Sequence, residues 1–150
     1  MDKVLVDKQP INHWSHYKLF DNWDNLLKKL PSTPTKANHY QSPRIPSFYH
    51  GKFLLPNKPH YPLDSFLEVG AWNKGVAFLN GHNLGRYWPV AGPQLTLYAP
   101  SVYFKPYPQE NEIVLFELEH SPCSVGDSHD DKCVVNFTDK HVINGPIPQH

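Results

Sequence analysis

The chain has 150 residues, enough to bury one sizeable core, and its fourteen Lys and Arg are balanced by fourteen Asp and Glu. No basic run is dense enough for a nucleic-acid footprint or an anionic membrane surface, so neither partner is expected. Sixteen Pro, eight Gly, eight Tyr, eight Phe and four Trp describe a loop-rich all-β architecture, not a helical one. The ten His residues would charge as pH falls through ~6.5, making the chain net cationic in an acidic compartment. No apolar run approaches the ~20 residues of a spanning helix. The N-terminus lacks the basic-then-apolar layout of a signal peptide.

In chain order, Val4-Leu5-Val6 reads as a short strand, and residues 14–20 form an aromatic segment in which Trp14, His16, Lys18 and Phe20 alternate with His13, Tyr17 and Leu19. The stretch DNWDNLLKKLP is a short helix, with Asp21 or Asn22 as N-cap and Trp23, Leu26, Leu27 and Leu30 on one stripe. Lys28 and Lys29 suit its C-terminal dipole, and Pro31 ends it. Residues 32–46 form a Pro-punctuated connector, which places a boundary there: 1–46 as an N-terminal segment, 47–143 as the main β-domain, 144–150 as a tail. Strand signals follow at 48–55, 65–69, 76–79, 84–88, 94–98 and 113–119, with a final pair at 133–137 and 140–143. That spacing suits a β-sandwich or jelly roll.

The most informative span is WNKGVAFLNGHNLGRYW, residues 72–88. Asn80-Gly81 suits the type I′ turn of a two-residue hairpin, since both central positions need positive φ. At a period of two, Ala77 and Leu79 face one way and Val76 and Phe78 the other; on the return, Leu84, Arg86 and Trp88 share a face opposite Gly85 and Tyr87. An indole beside a guanidinium can stack on a pyranose ring and hydrogen-bond its hydroxyls, or can lock a sheet edge by a cation–π contact. Spacing alone favours the lock. Trp72, Asn80, Asn83, Arg86, Tyr87 and Trp88 are the candidate sugar contacts, and an open sugar platform requires the aromatic members to be exposed, whereas at least two of the three are expected to be buried.

Glu117 and Glu119 are the tempting catalytic pair, at i and i+2 on one strand with attachment points ~6.8 Å apart. Glycoside hydrolysis needs carboxylates flanking a bond from opposite sides, so solvent-facing side chains are the better reading of both. No G-x-S-x-G elbow is present, His13/His16 and His129 to Asp131 match no zinc or calcium spacing, and no metal or cofactor is expected. Gly70, Gly75, Gly81 and Gly85 lie among strands, where their expected role is turn geometry rather than phosphate binding. Cys123 and Cys133 flank a polar loop and can form a disulfide worth roughly 2–3 kcal/mol, or remain two thiols. Asn136-Phe137-Thr138 is an N-glycosylation acceptor pattern within the apolar run from Val134-Val135. Together with the Cys pair it tilts toward an oxidising lumen.

Taken in order, Gly75, Asn80-Gly81, the run Asn83 to Pro89, Gly92-Pro93-Gln94-Leu95-Thr96-Leu97 and Asn111-Glu112-Ile113-Val114 into Glu117-Leu118-Glu119 resemble the C-terminal β-domain of lysosomal-type β-galactosidases of glycoside hydrolase family thirty-five. Phe48-Tyr49-His50-Gly51-Lys52-Phe53 and the Cys123 to Cys133 loop fit the same resemblance. It implies a galactose-binding-like jelly roll that packs beside a catalytic (β/α)₈ barrel and a preceding β-domain. The family's two catalytic Glu residues lie in that barrel and match no position here, so no catalytic residue is carried over. The resemblance implies a parent activity on terminal β-linked galactose of glycoconjugates in a lysosomal or extracellular setting, with this chain a non-catalytic accessory module. A stand-alone module binding a galactose-containing glycan is the alternative. Met1 falls where the family's chain is in mid-course, so a partial gene model, a truncated paralogue and a free-standing lectin-like protein compete, and the docking surface a solitary domain would expose favours a fragment.

Overall fold

A computed structural model describes residues 5–10, 23–29, 46–123 and 133–143. The chain divides into two compact units, Met1–Ser32 and Thr33–His150. In the first, β1 (Leu5–Val6) pairs with β2 (Gln9–Pro10) around Asp7 and Lys8, both at positive φ, and α1 spans Trp23–Lys29 with Lys28 and Lys29 in its last turn. The aromatic run at 14–20, the helix-flanking Asp21, Asn22, Leu30 and Pro31, and the connector up to residue 45 lie outside the described residues, as do His13, His16, the 124–132 loop and the tail.

The second unit is a sandwich of two antiparallel sheets. One has the order β3 (Ser47–Leu54), β8 (Glu110–Glu117), β5 (Gly75–Leu79), β6 (His82–Tyr87). The other has the order β7 (Thr96–Ala99), β4 (Ser65–Glu68), β9 (Asn136–Thr138). The pleat sends alternate residues inward. Ala77, Leu79, Ile113, Leu115 and Tyr87 from the larger sheet meet Leu67, Leu97 and Ala99 from the smaller, with Val69, Trp72 and Phe104 closing the core between them. Phe137 packs onto Phe53 and Phe104 at ring-centroid distances of 5.3 and 5.2 Å, tying β9 to the larger sheet.

The residues expected to form a last strand at 140–143 do not pair as one. They cross the outer face of the smaller sheet: His141 packs on Phe66, and Val142 exchanges hydrogen bonds with the Leu95 amide and the Thr96 hydroxyl. This crossing buries Thr96 on a face where its neighbour Glu68 is exposed. At the corner after β7, Asp64 accepts the Ser101 amide at 2.7 Å. That bond first, then the Ser101 and Tyr98 hydroxyls, holds the Asp64 carboxyl below its ordinary value. A lowered carboxyl stabilises the fold above the ordinary carboxylate range and loses that contribution only as pH falls through the lowered value, so the corner persists in mild acid.

Gly75 is needed for close approach and not for a turn. A Cβ there would fall 2.7 Å from Cζ of Tyr87 and closer still to the Phe116 carbonyl oxygen, a backbone atom that cannot step aside. Gly70 faces open space. Gly75→Ala is therefore expected to lower unfolding stability by about 3 kcal/mol or more, whereas Gly70→Ala stays within about 0.5 kcal/mol, both read from urea titrations.

Candidate functional site

The hairpin forms as its turn chemistry requires: Leu79 pairs with His82, and Asn80 and Gly81 have φ of 48° and 87°. One residue further along, the register changes. Phe78 pairs with Asn83 but Ala77 pairs with Gly85, leaving Leu84 as the extra residue of a β-bulge. Gly85 takes φ of 118°, and its amide donates to Oδ1 of Asn83 at 2.8 Å. Leu84 consequently turns to the core and does not share the face of Arg86 and Trp88, which corrects the simple alternation.

The bulge decides what the return strand meets. Without it Tyr87 would stand opposite Lys74; with it Tyr87 stands opposite Gly75. On the other side of Gly75, in the same inward row, is Glu117 of β8. Because Gly75 has no side chain, the Tyr87 hydroxyl crosses it and donates to Oε2 of Glu117 at 3.1 Å. The same carboxylate accepts backbone amides from Asn73 at 3.1 Å, Lys74 at 3.0 Å and Glu119 at 3.0 Å. Glu117 is 2 % exposed and saturated with donors, so a buried charge is held by four hydrogen bonds. Burial foremost, then the Glu117 charge, pushes the Tyr87 hydroxyl well above its ordinary range and keeps it a donor.

The solvent-facing reading of the Glu pair therefore holds for Glu119 alone. Strand β8 ends at Glu117, and Glu119 turns outward to Nζ of Lys74 at 3.5 Å. The parity of Ile113, Leu115 and Glu117 was the available signal for the inward position.

The six candidate sugar contacts separate into two groups. Trp72 and Tyr87 are buried; the Trp72 indole donates to the Val134 carbonyl at 3.0 Å and lies edge-on to Tyr49. Asn80 is a second lock: its Nδ2 donates to the Tyr103 carbonyl and to Oδ1 of Asn111, both at 2.7 Å, and its Oδ1 accepts the Glu112 amide. Asn111, fully buried, is held in turn by both backbone groups of Lys105. Asn83, Arg86 and Trp88 are exposed, whereas Asn80 is half-buried. There Lys74, now opposite Trp88, places Nζ 4.0 Å from the indole centroid, with the Arg86 guanidinium at 5.6 Å. The Lys74 ammonium thus occupies one face of the Trp88 indole. Lys74 was invisible to the sequence reading because its pairing with Trp88 depends on the bulge.

Beside this edge, Arg86, Trp88, Gln94, Thr96 and Val69 line a cavity of about 60 Å³. That falls far short of the roughly 300 Å³ of a typical ligand cleft. Among the described residues there is no cluster of three His, Cys, Asp or Glu suited to a metal ion, and no helix is long and apolar enough to cross a membrane. Cys123 and Cys133 are joined by a disulfide.

Residues 46–111 match the sequence model of the β-galactosidase galactose-binding domain family. This segment belongs to the β-galactosidase galactose-binding domain family. The chain is 42 % identical over 118 residues to the β-galactosidase of Canis lupus familiaris, covering 77 % of this chain and 17 % of that protein. It is 40 % identical over 112 residues to the Homo sapiens β-galactosidase, covering 74 % and 16 %. To β-galactosidase 8 of Oryza sativa subsp. japonica it is 48 % identical over 77 residues, covering 51 % and 11 %. The chain thus spans less than a fifth of the length of these relatives. The galactose-binding domain match takes in the bulged hairpin, the Asn80–Asn111 lock and Gly75, and stops short of Glu117.

Glu117→Ala strands three amides and the Tyr87 hydroxyl without an acceptor and is expected to cost about 3 kcal/mol or more in urea unfolding. Glu117→Gln, which keeps an acceptor oxygen, is expected to cost clearly less.

Proposed function

We propose that this chain acts as a non-catalytic accessory module of a β-galactosidase-like glycoside hydrolase of family thirty-five, whose parent activity is removal of terminal β-linked galactose from glycoconjugates. The single observation that carries this reading is the galactose-binding domain match at 46–111, combined with a hairpin whose polar groups are already engaged within the domain. A catalytic pair needs two carboxylates facing one substrate bond. Glu117 is buried and saturated, Glu119 pairs with Lys74, and Glu110 and Glu112 lie beside Lys52 on the opposite face of the larger sheet. The work of the module is then to present a rigid sandwich against a catalytic barrel and a neighbouring β-domain. A lysosomal or extracellular setting fits the disulfide, which persists in oxidising compartments.

The second reading, a stand-alone carbohydrate-binding module, draws on one feature: Trp88 is 36 % exposed beside Arg86 and Gln94 at the mouth of the small cavity. The two readings part on affinity. The purified chain is expected to show no turnover of a chromogenic β-galactoside at acidic pH and no galactose or lactose binding tighter than about 1 mM by calorimetry. Residues 46–143, grafted in place of the matching segment of the dog β-galactosidase, are expected to sustain activity that deletion of the segment abolishes. Hydrolysis by the chain alone, or an inactive graft that is nonetheless folded, contradicts the accessory reading. Micromolar sugar affinity lost on Trp88→Ala promotes the second.

A further inference from the structure

Asn136-Phe137-Thr138 is the only Asn-x-Ser/Thr triplet in the 150 residues. It occupies the whole of β9. Phe137 pairs with Leu67 and turns inward onto Phe53 and Phe104, which fixes the pleat and sends Asn136 and Thr138 outward. Asn136 is exposed, and its cross-strand neighbour is the exposed Glu68. Among the described strands β9 lies at the edge of its sheet, so nothing pairs with it on the far side.

The behaviour of the other asparagines sharpens the point. Asn80, Asn83 and Asn111 each engage a backbone group through the side-chain amide, the usual structural use of this residue. The Asn136 amide makes no such bond among the described residues. Three positions upstream, Cys133 is joined to Cys123, and disulfides form in the same luminal compartments in which Asn-x-Thr acceptors are modified.

We infer that Asn136 carries an N-linked oligosaccharide that covers the open edge of β9. The donor is a lipid-diphosphate-linked oligosaccharide. Nδ2 of Asn136 forms a bond to the anomeric carbon of the first sugar as the bond from that carbon to the diphosphate oxygen breaks. One amide proton is released, the lipid diphosphate leaves, and nothing is oxidised or reduced. Attachment on this outward side chain displaces no packed group, and the hydrated glycan blocks strand addition to an edge that carries no Lys, Pro or bulge of its own. The inference rests on the luminal or extracellular setting proposed above.

The test routes the full chain through the secretory pathway of a eukaryotic host behind a cleavable leader. The secreted protein is expected to show one peptide-N-glycosidase-sensitive shift on a gel, with deamidation at Asn136 by mass spectrometry. Asn136→Gln and Thr138→Ala each abolish the shift, Thr138→Ser retains it, and the secreted variants stay folded by circular dichroism. A folded, secreted, disulfide-bonded wild-type chain with unmodified Asn136 overturns the inference and leaves the luminal setting standing. Fractionation of source cells tests that setting separately: the chain found with free thiols in the cytosol overturns the setting, and the modification with it.

Discussion

The sandwich depends on one contact made across a missing side chain. Tyr87, Gly75 and Glu117 lie in a single inward row of the larger sheet, and the Tyr87 hydroxyl reaches the Glu117 carboxylate only because Gly75 leaves the space between them empty. A carboxylate in a core is costly unless its oxygens are satisfied. Here three backbone amides and one hydroxyl satisfy them. The arrangement joins the start of β5, the end of β6 and the end of β8, so the three strands cannot shift register independently. At the far end of β5 and β8, the Asn80–Asn111 pair performs the same service by fastening the hairpin turn to the Tyr103 and Lys105 backbone. The strand pair is thus pinned by polar groups at both ends and by apolar packing between.

Much of this was legible in the sequence where the cause is local. Asn80-Gly81 states its turn type, and the period of two puts Ala77 and Leu79 on one face and Val76 and Phe78 on the other. Strand edges shift by a residue or a few, because a ladder ends where its partner ends. What was not legible is non-local. The bulge at Leu84 has no signature in the alternation, yet it moves Tyr87 from Lys74 to Gly75 and Trp88 onto Lys74. Glu117 reads as a surface carboxylate until its donors, distant in the chain, are known. The last apolar run, 140–143, reads as a strand because composition cannot distinguish pairing at an edge from crossing a face.

The same non-local contacts shape the function. Asparagine, tyrosine, tryptophan and arginine gathered at one turn have the chemistry of sugar recognition, although their spacing alone favours a structural lock. In the folded chain Trp72, Asn80 and Tyr87 are occupied within the domain, and the exposed indole of Trp88 is faced by Lys74. The galactose-binding domain family provides the scaffold, while in this chain the hairpin's recognition chemistry is directed inward.

Tyr87 and Glu117 act as a unit. A double-mutant cycle of Tyr87→Phe and Glu117→Ala, measured by urea unfolding, isolates their interaction. The expected coupling is at least about 1 kcal/mol, as for a buried hydrogen bond to a charged group. Costs that add to within about 0.3 kcal/mol would contradict it.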